Sequence, residues 1–318
     1  MQVTSERQSD EEVHGIQASS DELMKRIRQV LRNDGVVEAL PGFYLSRRSA
    51  PTELGHGVYH PCFCVIAQGS KEVLLADECY RYDPAHYLIA TATLPVASRI
   101  VEASPEQPYL GLLLRLDPAL VSSVMVEAGY PAAQSQPSVK AINVSPLDTD
   151  LLEAVVRLVR LIDAPKEARF LTPLVTREII YRLLVGEQGS RLRYVTALGG
   201  NAQRITEAIR RLHQEFAQPL RMEEMASNLG MSVSSFHHHF KEVTSMSPLQ
   251  FQKHLRLQEA RRLMLGERLD ANSAGSRVGY DDTSHFNREY KSLFGVPPRR
   301  DVERLRATTW QTGDGGVN

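Results

Sequence analysis

Two short stretches, fifty positions apart, carry the side chains of this chain best suited to reading a nucleic acid. The first is Ser234-Ser235-Phe236-His237-His238-His239-Phe240-Lys241; the second is Ser284-His285-Phe286-Asn287-Arg288-Glu289-Tyr290-Lys291. Ser, Phe and Lys recur at matching places, and Tyr290 stands where Phe240 stands. At helical spacing the aromatics share one face, leaving Ser234, Ser235, His237, His238 and Lys241 on the other. The second stretch leaves Thr283, Ser284, Asn287, Arg288 and Lys291. Arg can pair with guanine and Asn with adenine, while Ser and Thr discriminate little. The remaining donors suit phosphates, which set register. Any one of these residues alone reads as a solvated helix face. The repetition of core, turn and polar face together points to double-stranded DNA.

The elements that would hold these side chains repeat as well. Leu229-Gly230 and Val278-Gly279 end short helical segments ahead of each stretch, and Pro248 and Pro298 follow. One supersecondary unit used twice, with helix, Gly turn and second helix, is the helix-turn-helix plan. An amphipathic helix is expected over 202–217 and a first-unit helix over 222–229. A recognition helix capped by Ser232 then spans 233–244, and a long joining helix spans 248–265. The second unit has a helix over 272–278 and a recognition helix from Asp282 to Phe294. Gly275 disfavours that short helix by about 1 kcal/mol, so a looser second unit is expected. Adjacent histidines on a helix point apart, so the 237–239 run is not expected to bind a metal.

A second group with reactive chemistry lies at Cys62, Cys64 and Cys79. Three thiols are too few and odd in number for a disulfide framework. Cys62 and Cys64 share a strand face about 6.6 Å apart, where a direct disulfide is strained. A simple meander of strands 62–68, 71–75 and 79–82 would separate Cys64 from Cys79 by two strand spacings. The plain reading is three buried apolar thiols. The sharper one is a sensor for oxidants or electrophiles such as aldehydes, which needs an accessible thiol of lowered pKa. Cys62 is favoured because it lies beside His60 at a strand start that meets solvent; His60, Lys71 and Arg81 are candidate neighbours.

Around these groups the chain divides by texture. Strand-like runs separated by about ten residues fill 35–116, as in an antiparallel sandwich or barrel. Apolar helical periodicity follows to Val185, giving a core or a dimerisation surface. The expected units are a disordered tail (1–19), a barrel-type domain (20–135), to which the resemblance given below assigns effector sensing, and a helical dimerisation region (136–188). A linker (189–200), the DNA-binding domain (201–306) and a tail (307–318) complete the chain. The fold class is α+β: an antiparallel barrel with flanking helices, then an all-α double helix-turn-helix domain.

The chain has 318 residues, a formal charge of −1 and 42% hydrophobic residues. Between 201 and 306 there are 17 Lys and Arg against 13 Asp and Glu, a weakly basic third. No apolar run reaches the roughly 18 residues of a membrane helix, and the polar start lacks a secretory pattern, so a cytoplasmic protein is expected. No cofactor or metal is expected. A metal cupin would use a His-x-His pair, whereas His56, His60 and His86 offer none.

Residues 201–306 resemble the two-unit DNA-binding domain of the AraC-type transcriptional regulators. The stretches Ser247-Pro248-Leu249-Gln250-Phe251, Leu257-Gln258-Glu259-Ala260-Arg261-Arg262-Leu263 and Val278-Gly279-Tyr280-Asp281-Asp282 carry the likeness. So does Phe286-Asn287-Arg288-Glu289-Tyr290-Lys291 before Phe294-Gly295-Val296-Pro297-Pro298. The segment 61–116 resembles the N-terminal domain of a subgroup of these regulators, through Gln68-Gly69-Ser70-Lys71, Tyr82-Asp83-Pro84, Leu94-Pro95 and 103–109. The resemblance implies a cupin-like barrel taking a small-molecule effector, and helices that form a homodimer. It also implies base reading by Ser234, His237 and His238, and by Thr283, Ser284, Asn287 and Arg288, with RNA polymerase as a further partner. The competing readings are a cupin-type metal enzyme with an accessory DNA-binding domain, and a regulator that needs no ligand.

Overall fold

The computed structural model describes residues 2–130, 140–195 and 200–311. A helix, α1 (Gln2–Val30), leads into nine strands. They are β1 (Gly35–Leu40), β2 (Phe43–Arg48), β3 (Gly55–Tyr59), β4 (Cys62–Gln68) and β5 (Ser70–Leu75), then β6 (Glu78–Tyr82), β7 (His86–Ala90), β8 (Leu94–Glu102) and β9 (Tyr109–Arg115). After α2 (Pro118–Glu127) comes a tenth strand, β10 (Ile142–Pro146), followed by α3 (Thr149–Arg160), α4 (Pro165–Val185) and α5 (Gly189–Val195).

The strands form two antiparallel sheets rather than a closed barrel: β1-β2-β9-β4-β7-β10 and β3-β8-β5-β6. The chain crosses between sheets at Gly69, where φ is +84° and a Cβ would lie 2.4 Å from the Glu102 carbonyl; only glycine fits. This crossing corrects the expected meander. Strand β4 pairs with β7 and β9, whereas β5 pairs with β6 and β8, so Cys64 and Cys79 lie in different sheets.

One face of the larger sheet packs on helices. Phe43, Leu45, Phe63, Val65 and Leu112 share a core with Leu23 and Ile27 of α1 and with Leu151, Val155, Leu158 and Ile180 of α3 and α4. Its other face, with Cys62, Cys64 and Ile66, meets Val73, Leu75, Leu94 and Val96 of the smaller sheet. The apolar, buried run from Cys62 to Ala67 in β4 follows, since both of its faces are covered. Residues 2–19, expected to be disordered, belong to α1, whose 29 residues include no Pro. Residues 142–146, placed in the helical region by sequence, complete the larger sheet through β7. Most of the expected linker is α5, which ends at Val195.

The C-terminal part is helical: α6 (Gly200–Glu215), α7 (Met222–Asn228), α8 (Val233–Thr244), α9 (Pro248–Gly266), α10 (Ala271–Arg277), α11 (Thr283–Phe294) and α12 (Pro298–Gln311). Helix α9 opens with Pro248 behind Ser247, whose side chain accepts from the Gln250 amide while Gln250 returns the bond. Its two ends serve two cores. Phe251 and Leu255 join Phe236, Phe240 and Val243; Leu257, Ala260 and Leu263 join Val278, Phe286 and Tyr290. Among the described residues no helix is long and apolar enough to cross a membrane.

Candidate nucleic-acid interface and effector cavity

Helices α8 and α11 are started the same way. The Ser232 side chain accepts from the Ser235 amide and Asp282 from that of His285, satisfying donors that a helix start leaves free. Both end in a left-handed residue, Ser245 and Gly295. Phe236 and Phe240 are buried in the first unit, and Phe286 and Tyr290 in the second. The opposite face carries the residues singled out by sequence: Ser234, His237, His238 and Lys241 are exposed and Ser235 is half-buried. On α11 Thr283, Ser284, Asn287, Arg288 and Lys291 are all exposed. His285, which the sequence reading passed over, is exposed on the same helix with Nε2 3.5 Å from Glu289.

The second unit is better braced than Gly275 suggests. That glycine is buried, and a Cβ there would sit 3.1 Å from the Phe286 ring, so its absence lets the two helices close. Behind them Asp301 is fully buried, accepting from Arg261 at 2.7 and 3.0 Å and from the Tyr290 hydroxyl at 2.8 Å. A buried carboxylate so satisfied ties α9, α11 and α12 together. In the histidine run, His237 and His238 are exposed and His239 is half-buried. His238 and His239 have rings 5.1 Å apart and both approach Glu242, at 3.3 and 2.9 Å, while Asn201 sits 2.7 Å from His239 Nε2.

Between the two sheets lies a cavity of about 300 Å³. Its wall includes Tyr59, Cys62, Cys64, Lys71, Tyr82 and Tyr109, together with Tyr44, His60, Leu112, Leu113 and Arg115. Cys62 and Cys64 project together from β4, their sulfurs 3.7 Å apart. Cys62 is 1% exposed, so the expectation that it meets solvent does not hold; β9 and β7 flank the start of β4 on both sides. The hydrogen bond with Cys64 and burial push its thiol well up. Cys64 is held below the usual thiol range by the Cys62 hydrogen bond, against burial, with help from Lys71 and the Tyr82 hydroxyl. Cys79 is exposed on the other sheet, opposite Leu74. Arg81, a candidate neighbour, is engaged by Glu102 at 2.6 Å.

Lys71 lies 5.5 Å from the centre of the Tyr59 ring. Burial opposes its charge, but the phenols of Tyr59 and Tyr109 and the Cys64 thiol raise its pKa above the ordinary lysine range. His60 in the wall is lowered by burial and by the Arg115 charge. The metal-enzyme histidines do not converge. His56 packs its ring 4.8 Å from Phe294, His60 lines the cavity, and His86 bonds Asp83 at 2.7 Å.

The sensor and reader parts meet directly. The Ala141 amide donates to the Val243 carbonyl, Gln258 reaches the Val96 carbonyl at 3.5 Å, and Arg304 pairs with Glu53. Ile142 and Ala90 of the sheets share a buried cluster with Phe240 and Val243.

Residues 39–191 match the family described as AraC-type transcriptional regulator N-terminus, and residues 225–304 match a helix-turn-helix domain family. The HTH-type transcriptional regulator ArgR of Pseudomonas aeruginosa is 26% identical over 128 residues, 40% of this chain and 39% of that protein. The HTH-type transcriptional activator RhaS of Escherichia coli is 26% identical over 157 residues, 49% of this chain and 55% of that protein. The matched stretch thus spans roughly two fifths to just over half of these relatives' lengths. Among solved structures, an apo point variant of ToxT from Vibrio cholerae aligns with a TM-score of 0.51 at 10% identity, covering 82% of this chain and 97% of that one. ToxT bound to (E)-4-(8-methylnaphthalen-1-yl)but-3-enoic acid aligns at 0.52 and 10% identity, covering 86% and 100%. The fold is shared with ToxT, and the two matched regions are those of an AraC-type transcriptional regulator N-terminus and a helix-turn-helix domain.

Proposed function

We propose that the protein is a sequence-specific DNA-binding regulator of transcription whose promoter occupancy is set by a small molecule or electrophile in the inter-sheet cavity. The observation that carries the first half is the paired presentation of α8 and α11. Each is capped, each buries two aromatic rings, and each turns Ser or Thr, a basic residue and His or Asn outward. Two such helices on one long connector suit two successive major-groove segments of one duplex. Ser234, His237, His238, Thr283, Ser284, Asn287 and Arg288 face bases; Ser235, Lys241 and Lys291 hold phosphates. Phe170, Leu174, Tyr181 and Val185 leave an apolar strip exposed along α4, which a second copy of the chain would cover to give a homodimer. RNA polymerase is the further partner, and the cytoplasm the setting.

The cavity favours ligand control over a regulator without a ligand, because a chamber that sets the Lys71 ammonium among phenols is costly unless an anion meets it. The separation of His56, His60 and His86 speaks against a metal enzyme. Mapping bound sites across the native genome, then titrating the purified protein against those sites in increasing salt, tests the reading. A shared sequence motif and a steep salt dependence are expected. Equal affinity for scrambled duplexes would refute it.

A further inference from the structure

The wall of the inter-sheet cavity has an unusual charge balance. Lys71 projects into it from β5 and Arg115 lines it too, its guanidinium 5.3 Å from the Tyr44 ring centre. Among the described residues no Asp, Glu, Asn or Gln lines the cavity. Lys71 has no carboxylate partner among the described residues; its neighbours are the phenols of Tyr59 and Tyr109 and the Cys64 thiol. An ammonium group taken from water into such a chamber is costly unless an anion meets it. The phenols can donate hydrogen bonds to that anion, and Leu112, Leu113 and the aromatic faces supply flat apolar walls.

We infer that this cavity binds a small monocarboxylate with a flat apolar body, its carboxylate held by Lys71 and the surrounding tyrosine hydroxyls. The inference rests on the cavity being the effector chamber and names the ligand class. A volume of about 300 Å³ holds roughly ten to fifteen heavy atoms. One deep cation calls for one negative charge, with Arg115 near enough to draw the anion in. Sugars and other polyols are disfavoured, because the described wall offers no side-chain carboxylate or carboxamide to pair with several hydroxyls. Cations are disfavoured by Lys71 itself. The two thiols lie along the ligand's flank, so an occupant shields Cys64.

The test uses the full-length protein, titrated calorimetrically with benzoate, cinnamate, their neutral amides and rhamnose. At least one carboxylate should bind, and its amide should bind about 10- to 100-fold more weakly. Lys71→Met should lose a similar factor for the carboxylate. In the unaltered protein the carboxylate should slow maleimide modification of Cys64 but not of exposed Cys79, a readout independent of any variant. Amides binding as well as acids, no carboxylate binding at millimolar concentration, or undiminished affinity in Lys71→Met would each overturn the inference. Carboxylate binding that leaves operator affinity unchanged would support the site while removing its regulatory role. A response to rhamnose alone would overturn the ligand class and leave effector control standing.

Discussion

The backbone amide of Ala141 donates to the carbonyl of Val243 at 3.0 Å, joining the segment ahead of β10 to the last turn of α8. Its neighbour Ile142 stands opposite Ala90, and Ala90 opposite Cys62, so one cross-strand row runs from the cavity wall to this bond. Were β4 to shift, that movement would have a packed route to α8, through elements that can bias a two-state arrangement.

Ala141→Pro removes the donor without touching a side chain on α8. Hydrogen exchange across residues 240–245 should quicken by about 2- to 10-fold, the worth of one backbone hydrogen bond. The effect of a cavity ligand on operator affinity should shrink in the same variant. Unchanged exchange together with unchanged ligand response would mean that the signal travels elsewhere.

Arg288 is exposed on α11, one turn from Ser284, and no ion pair engages it among the described residues. It is free to reach a base edge. Arg288→Ala should weaken specific binding by about 1–3 kcal/mol and relax the preference at one base pair. Titrations against single-base operator variants measure both; a uniform loss across all variants would reassign Arg288 to phosphate.

The reader was legible in the sequence because its signals are local. Caps at Ser232 and Asp282, the aromatic pairs and the turn glycines lie within one or two helical turns of each other. Gly275 was misleading for the same reason: its local cost is offset by Phe286, eleven residues on, which packs against the space a side chain would take. The sensor was legible as strands but not as a pairing. Whether β5 continues the sheet of β4 or crosses to the other is decided at Gly69 and by long-range contacts that spacing does not encode. A ligand site in this domain was expected, but its wall went unread because Tyr59, Lys71, Tyr82 and Tyr109 come from four strands, β3, β5, β6 and β9, and the sheets alone bring them together.

The exposed strip on α4 repeats at Phe170, Leu174, Tyr181 and Val185, and Phe170 is 74% exposed. Leaving such a strip in water is unfavourable at roughly 25 cal/mol per Å². Light scattering of the full chain should give twice the monomer mass, and Phe170→Asp with Leu174→Asp should give the monomer with its fold retained. Operator affinity should fall in that variant, because two linked readers bind more tightly than one. A dimer that survives both charges would place the interface elsewhere.

Two histidines at the contact between sensor and reader make that contact sensitive to acid. His56 lies against Phe294, with Arg261, His254 and Asp301 as its charged or titratable neighbours; His213 lies against Phe251, with His60 nearby. Burial lowers both to about 4, with the Arg261 charge adding to it at His56 and the Thr93 backbone opposing it at His213. His56 Nδ1 and His213 Nε2 are buried without a hydrogen-bond partner among the described residues, so water gained on opening would satisfy them. The sign follows from proton uptake. Above the unfolded value near 6.5 both forms are neutral and the contact has its full strength. Between about 6.5 and 4 the separated state binds protons that the docked state cannot, so stability falls as pH falls. With both rings partly reachable by solvent, the loss by pH 5 is on the order of 1–2 kcal/mol for each. Denaturant midpoints from about pH 8 to 5 should decline in the parent chain and decline less in His56→Gln with His213→Gln. An equal slope in the double variant would assign the acid sensitivity to other groups.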